Sequence, residues 1–444
     1  MKAAIRAAID AASSLTGKRF GLLVASSVVA TSAIVASAMT GAGSSGALAA
    51  LIRRSLASDN TPVATAPAAD SSFAAVQPSR SQGGAASHAG GPLASPAPAP
   101  AASGPVSQPA LKEPVATPAE VGPVNHVFVI SLASPGYEQS LGAQSQMPYL
   151  SATLRPKGEL LSNYTLLGEA GLPNQIATLS GQPPNATTSA GCSTYAEFPS
   201  TTKTDSNGVV HGAGCVYSVE TLTLADQLSS SRLTWHAYVD GMVDETGAPA
   251  NCVHPGSGES ETVTPGGYVA GQNPFVYFHS LLDLGDCSAD DLPIDQLTAD
   301  LRKTEKTPSY SFIAPTPCDS GATGQCAPGA TEGPASADAF LASWVPKILA
   351  SPAYKADGLL IVNFAAANPP STDPGATPPT DPLRAGALLV SPFLTPGSTD
   401  AAPYNPYSLL RSTEDLFGLS ALGLAAGAKT KSFASSVLKE NGGD

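Results

Sequence analysis

The chain is poor in charge and in large side chains. Only 13% of its 444 residues are charged and 6% are aromatic, with two Trp. Basic residues are the scarcer sign, 22 Lys and Arg against 35 Asp and Glu, for a net charge of -13. Nucleic acid and anionic lipid headgroups are held by clustered Lys and Arg, so this balance excludes both as electrostatic partners. Cysteine is absent before residue 192, and none of the six cysteines forms a C-x-x-C pair, which excludes the common zinc and dithiol motifs. No internal repeat is visible.

The N-terminal region contains a long uncharged run. Phe20 to Met39 carries no charge and follows Lys2, Arg6, Lys18 and Arg19. About 20 apolar residues span a bilayer as a helix, and positive flanks stay inside, so the run is expected to anchor the chain with the remainder outside. A cleavable signal peptide is the competing reading, with Ala36-Ser37-Ala38 as its small-residue site. Both readings export the rest of the chain. Residues 1–54 form this cytoplasmic and membrane segment. Residues 55–120, rich in Pro, Ala, Ser and Gly, have too few large apolar side chains to offset the entropy of ordering and are expected to be a disordered tether.

Residues 121–444 hold all six cysteines: Cys192, Cys215, Cys252, Cys287, Cys318 and Cys326. An even number in an exported chain predicts disulfides. Sequential pairing is the simplest of the 15 connectivities that six cysteines permit, and the sequence leaves the choice open.

Within this region, apolar runs alternate with helical stretches. His126 to Ile130, Ser311 to Ala314, Gly358 to Phe364 and Ala387 to Val390 read as strands buried on both faces. Thr223 to Ser229, Ala337 to Leu349 and Ser408 to Phe417 read as helices. The alternation predicts an α/β domain, a mainly parallel sheet sandwiched by helices, whose sites lie at the carboxyl ends of the strands. Ser200 to Gly214 and Asn368 to Pro382 read as loops.

Several segments carry a more specific signal. They are Leu172-Pro173-Asn174, Asn273 to Phe278, Trp344 to Tyr354, and the block from Tyr404 through Asn405, Pro406, Tyr407 and Ser408 to Leu419. In order and spacing, across about Val121 to Gly423, they resemble the phosphoesterase family of bacterial acid phosphatases and phospholipases C, within the alkaline phosphatase superfamily. The resemblance implies an alkaline-phosphatase-like fold and a site built from four elements. In the family a Glu-Asn pair after the first strand binds metal; this chain has Ala133 and Ser134 there. The family's nucleophilic hydroxyl falls on Gly171, which has no side chain. An Asp-Glu metal-binding pair falls on Ala365 and Ala366. A His common in relatives falls on Pro406, and the His and Asp often found between Cys318 and Cys326 are reduced to Asp319. No catalytic residue, metal ligand or cofactor is therefore assigned.

The remaining polar residues have plain explanations. His126 and His236 are read as structural or partly exposed imidazoles. Asp240, Asp244 and Glu245, and likewise Asp283, Asp286, Asp290 and Asp291, are read as solvated acidic loops in preference to calcium sites. Glu414 and Asp415 are read as solvated charges on a helix face, Asn174 as a turn stabiliser, and Glu169 as pointing away from the site. The expected function is that of an exported, membrane-tethered phosphoesterase-family protein that has lost catalysis. It would bind a phosphorylated or lipid-like ligand, or an envelope protein. An active hydrolase using substitutes such as Glu169 or Asp319, and a purely structural envelope protein, are the alternatives. The domain is expected at the outer face of the cell membrane, or secreted if the N-terminal segment is cleaved.

Overall fold

The computed structural model describes residues 124–133, 136–366 and 383–438. The segments expected to be an N-terminal anchor, a tether and a loop from Asn368 to Pro382 lie outside them, as does Ser134. Among the described residues no helix is long and apolar enough to cross a membrane.

The first strand, β1 (His126–Leu132), has all seven residues buried, as a largely apolar run predicts for a strand covered on both faces. It lies between two parallel neighbours, β7 (Tyr310–Ala314) and β8 (Gly358–Phe364), both also buried throughout. The β1–β8 register runs without a break from His126 opposite Gly358 to Leu132 opposite Phe364. Beyond β7 come β5 (Trp235–Val239) and β6 (Asp291–Pro293), all parallel. On the other side, β9 (Ala387–Val390) is antiparallel to β8 and to β2 (Glu159–Leu161), and β10 (Thr399–Asp400) closes the edge parallel to β2. The eight-stranded sheet has the order β10-β2-β9-β8-β1-β7-β5-β6. The expected α/β fold with a mainly parallel sheet and flanking helices is what forms.

Three helices position the site: α1 (Gly171–Ser180), α2 (Pro334–Ala350) and α3 (Pro406–Phe417). The start of α3 is written locally. The Asn405 side chain accepts from the Ser408 amide at 3.1 Å, while Pro406 occupies the first helical position, where its missing N–H costs nothing. Ser351 does the same for the short helix Pro352–Asp357, accepting from the Tyr354 amide at 3.2 Å. His126 at the head of β1 pairs with Asp357 at the end of that helix, so its role is structural.

Two sequence expectations change. Ser200 to Gly214 is not all loop: Lys203–Thr204 and Val210–His211 form a small antiparallel hairpin, β3 and β4. Leu172-Pro173-Asn174 is not a free turn but the first turn of α1. The three disulfides are Cys192–Cys215, Cys252–Cys287 and Cys318–Cys326, the sequential pairing.

Helix α1 ends at Gly181, which has φ +70°, and a Cβ there would sit 2.5 Å from the Leu422 carbonyl oxygen. The backbone is therefore constrained twice, by its left-handed conformation and by close approach. Gly181→Ala is expected to lower unfolding free energy by roughly 1–3 kcal/mol, read from urea denaturation; a loss below about 0.5 kcal/mol would contradict this packing.

Candidate functional site

The carboxyl ends of β1 and β8 are joined beyond the regular ladder. The Ala365 amide donates to the Leu132 carbonyl and the Ala366 amide to the Ala133 carbonyl, both at 2.6 Å. Ala133 also donates its own amide to the Ser320 carbonyl at 3.1 Å, which ties it to the turn after β7. Helix α1 brings Gly171 to the same place, since a Cβ on Gly171 would touch the Ala366 methyl at 3.7 Å. Ala133, Gly171, Ala365 and Ala366, from three separate stretches of sequence, therefore meet at one edge of the sheet. Ala133, Gly171 and Ala366 are half-buried, and Ala365 is buried.

Methyl groups and a hydrogen atom offer no lone pair, so these four positions do not fit a divalent cation. Among the described residues, the cluster of three metal-competent side chains close enough to share an ion is Cys252, Cys287 and Asp291, and its two sulfurs are bonded to each other. Pro406 is buried at the first position of α3, where it serves the helix start.

Beneath the four positions lies a layer of neutral polar side chains. Gln175, one turn along α1 from Gly171, places its Nε2 3.5 Å from the Ser131 hydroxyl of β1. Asn363 of β8 is in register with Ser131, and the buried Tyr164 lies against it. Gln175 Oε1 and Asn363 Oδ1 are buried without a hydrogen-bond partner. Further along the edge, Gln272 Nε2 is 3.4 Å from the Ser320 hydroxyl. The sequence carried a signal for part of this layer, because Ser131 and Asn363 are polar interruptions in otherwise apolar buried strands. Gln175 and Gln272 had none.

Asn174 stabilises the turn into α1: it accepts from the Leu167 amide at 2.8 Å and donates to the Gly168 and Ala170 carbonyls at 2.9 and 2.7 Å. Glu169 is exposed. Asp319 accepts from the Ser336 hydroxyl at 2.8 Å, at the start of α2.

The acidic groups read from the sequence do not converge. Asp244 caps its own turn, accepting from the Thr246 and Ala248 amides, and Glu245 is exposed. Asp240, at the carboxyl end of β5, is instead half-buried within electrostatic reach of Asp319 and Asp295, and burial, then Asp319, raises its pKa. Asp283 pairs with His279, Asp286 accepts from Ser229, and Asp290 faces His236, which also contacts Asp300 at 3.1 Å.

The solvated reading fails for two carboxyls. Asp291 is fully buried because β6 places it in the sheet, where its Oδ2 accepts from Asn273 Nδ2 at 2.7 Å. Glu414 is also fully buried, since α3 turns that side toward the core; its Oε1 accepts from the Leu422 amide at 2.8 Å and its Oε2 has no partner. Asp415 remains half-exposed and pairs with Arg411 at 2.8 Å.

This arrangement, an α/β sheet with its candidate site at the carboxyl edge of the central parallel strands, has a sequence-level counterpart. Residues 144–420 match the model of the phosphoesterase family, and the chain belongs to that family. Gly171, Ala365, Ala366 and Pro406 fall inside the matched residues, while Ala133 precedes them. No curated protein matches the chain. Similar solved structures include a protein in the alkaline phosphatase superfamily from Vibrio parahaemolyticus (14% identity, TM-score 0.42, 67% of each chain covered). A sulfatase from Pseudoalteromonas sp. is 11% identical, with a TM-score of 0.44 over 72% of this chain and 73% of that one. The lipoteichoic acid synthase LtaP from Listeria monocytogenes is 9% identical, with a TM-score of 0.40 over 67% and 72%.

Burial pushes the Glu414 carboxyl up to about 8, with the Leu422 amide and Arg411 opposing the shift and Asp415 adding to it. The group is protonated in the folded state where the unfolded chain would ionise it. Its contribution is therefore fully present below the ordinary glutamate range and is lost as pH rises through about 8. Glu414→Gln is expected to flatten this dependence and to raise stability at pH 8.5 by roughly 1–3 kcal/mol, read from denaturation midpoints at pH 5 and 8.5. An unchanged pH slope would count against a neutral buried carboxyl.

Proposed function

We propose that the chain is an exported, membrane-tethered phosphoesterase-family protein that no longer hydrolyses phosphate esters. In this reading it uses its retained sheet edge to bind a phosphorylated or lipid-like ligand, or an envelope protein. The observation that carries it is the meeting of Ala133, Gly171, Ala365 and Ala366 at the position where an α/β sheet places its chemistry. Phosphoryl transfer depends on neutralising the charge that develops on the transferred group and on a positioned nucleophile. Four adjacent side chains without a heteroatom supply neither. Three disulfides favour an oxidising compartment, and the uncharged segment Phe20 to Met39 supports the tether.

A second reading has one observation in its favour. Asp240, at the carboxyl end of β5, lies within electrostatic reach of Asp319 and of Asp295, and this carboxylate could serve an active hydrolase with a displaced metal site.

The discriminating experiment measures bound metal and hydrolysis of p-nitrophenyl phosphate and its diester by the purified protein, with calcium, magnesium, manganese and zinc from acidic to alkaline pH. No turnover and no stoichiometric metal is the expected result. Activity that tracks bound metal and falls on Asp240→Asn or Asp319→Asn would establish the second reading instead.

Gly171→Ser provides a further check, because among the described residues a Cβ added there meets only the Ala366 methyl, at an ordinary contact distance of 3.7 Å. The variant is expected to keep its thermal midpoint within a few degrees, a change of about 1 kcal/mol or less, and to gain no phosphatase activity. Turnover from this single change would show that the remaining machinery is intact.

A further inference from the structure

The three disulfides differ in exposure. Cys192, Cys215, Cys287, Cys318 and Cys326 are all buried, whereas Cys252 is half-buried. Cys252 holds φ at +54°, a left-handed backbone strained for a non-glycine residue, as Cys192 does at +51°, so exposure and not backbone strain distinguishes it. Its partner Cys287 is fully buried in the short helix Asp286–Asp290. One residue of this pair is thus partly open to solvent while the other is enclosed.

The enclosed sulfur has an acid beside it. Asp291 Oδ2 lies 3.7 Å from Cys287 Sγ, and a carboxylate oxygen of Asp291 is within 4.8 Å of both sulfurs. Asp291 is fully buried, its Oδ2 accepts from Asn273 Nδ2, and its Oδ1 has no partner. Burial pushes this carboxyl up to about 7, with Asn273 opposing, so it carries a proton under mildly acidic conditions. The other titratable group facing it is Tyr268, half-buried, with its hydroxyl donating to the Val253 carbonyl at 2.6 Å. Asp286 and Asp290 of the same short helix are engaged by Ser229 and His236.

We propose that Cys252–Cys287 is a site of thiol–disulfide exchange with an external dithiol, in which Asp291 delivers a proton to the leaving Cys287 sulfur. A thiolate of the dithiol attacks Cys252 Sγ and forms a mixed disulfide; the Cys252–Cys287 bond breaks, and Cys287 leaves with the electron pair and takes the Asp291 proton. The second thiol of the reagent, as thiolate, then attacks its own sulfur in the mixed disulfide. This releases Cys252 as thiolate and the dithiol in its oxidised form. Two electrons pass from the dithiol to the protein. Burial explains the need for the acid, since a thiolate expelled into an apolar enclosure is strongly disfavoured without a proton donor. In the other two pairs both cysteines are buried.

The test treats the intact native protein with dithiothreitol and traps thiols by alkylation at timed intervals, mapping each cysteine by mass spectrometry. Cys252 and Cys287 are expected to appear at least tenfold faster than the other four. Normalised to dithiothreitol thiolate, this rate falls as pH rises through about 7, because the proton donor is lost. Asp291→Asn is expected to slow opening about tenfold and to flatten that profile. Simultaneous opening of all three disulfides, prior opening of another pair, or the same pH profile in Asp291→Asn would each overturn the proposal. The order and the wild-type profile are read on unaltered protein, so they decide the matter even if the variant does not fold.

Discussion

The unbroken parallel register between β1 and β8 is the constraint on which the rest depends. Seven residue pairs align the two central strands, and the ladder continues through two further amide donations to Ala133 and Leu132. Because the strands run in the same direction and stop together, their next residues must emerge side by side. The convergence of Ala133 with Ala365 and Ala366 is thus a product of backbone pairing, independent of the side chains there. A family site can lose its functional groups at these positions without losing the geometry that brought them together.

The fold was legible where burial is two-sided. Four largely apolar runs marked β1, β7, β8 and β9, whereas the caps Asn405 and Ser351, each followed by Pro, begin one helix two residues before the Ser408 start expected for it and one helix not expected at all. The short strands β2, β6 and β10, two or three residues each, carry too few positions for periodicity to register. The hairpin of β3 and β4 is similarly short, and its sequence is mostly polar and small.

The site was legible in part, for a different reason. The residues that meet there could be named only by resemblance to a family, because alanine and glycine have no chemical signature of their own. The buried carboxyls were missed because the sequence shows a charge but not its direction. Asp291 comes after three other acidic positions in a row that reads as solvated, yet β6 carries it into the sheet beside Asn273. Glu414 sits one residue from Asp415, and the helical turn between them is enough to send one to the core and the other to solvent.

The contact between Gly181 and the segment Leu422 to Leu424 bears on the order in which the molecule is made. Leu424 donates its amide to the Gly181 carbonyl at 3.0 Å, so the far end of α1 is held by residues near the finish of the chain. β1 likewise waits for β8, more than two hundred positions later. A polypeptide emerging from its N-terminus therefore cannot assemble this sheet edge while synthesis is under way. The apolar first strand stays unpaired until β7, more than 180 positions after it, has been made, which makes early β1 the segment in greatest need of chaperoning.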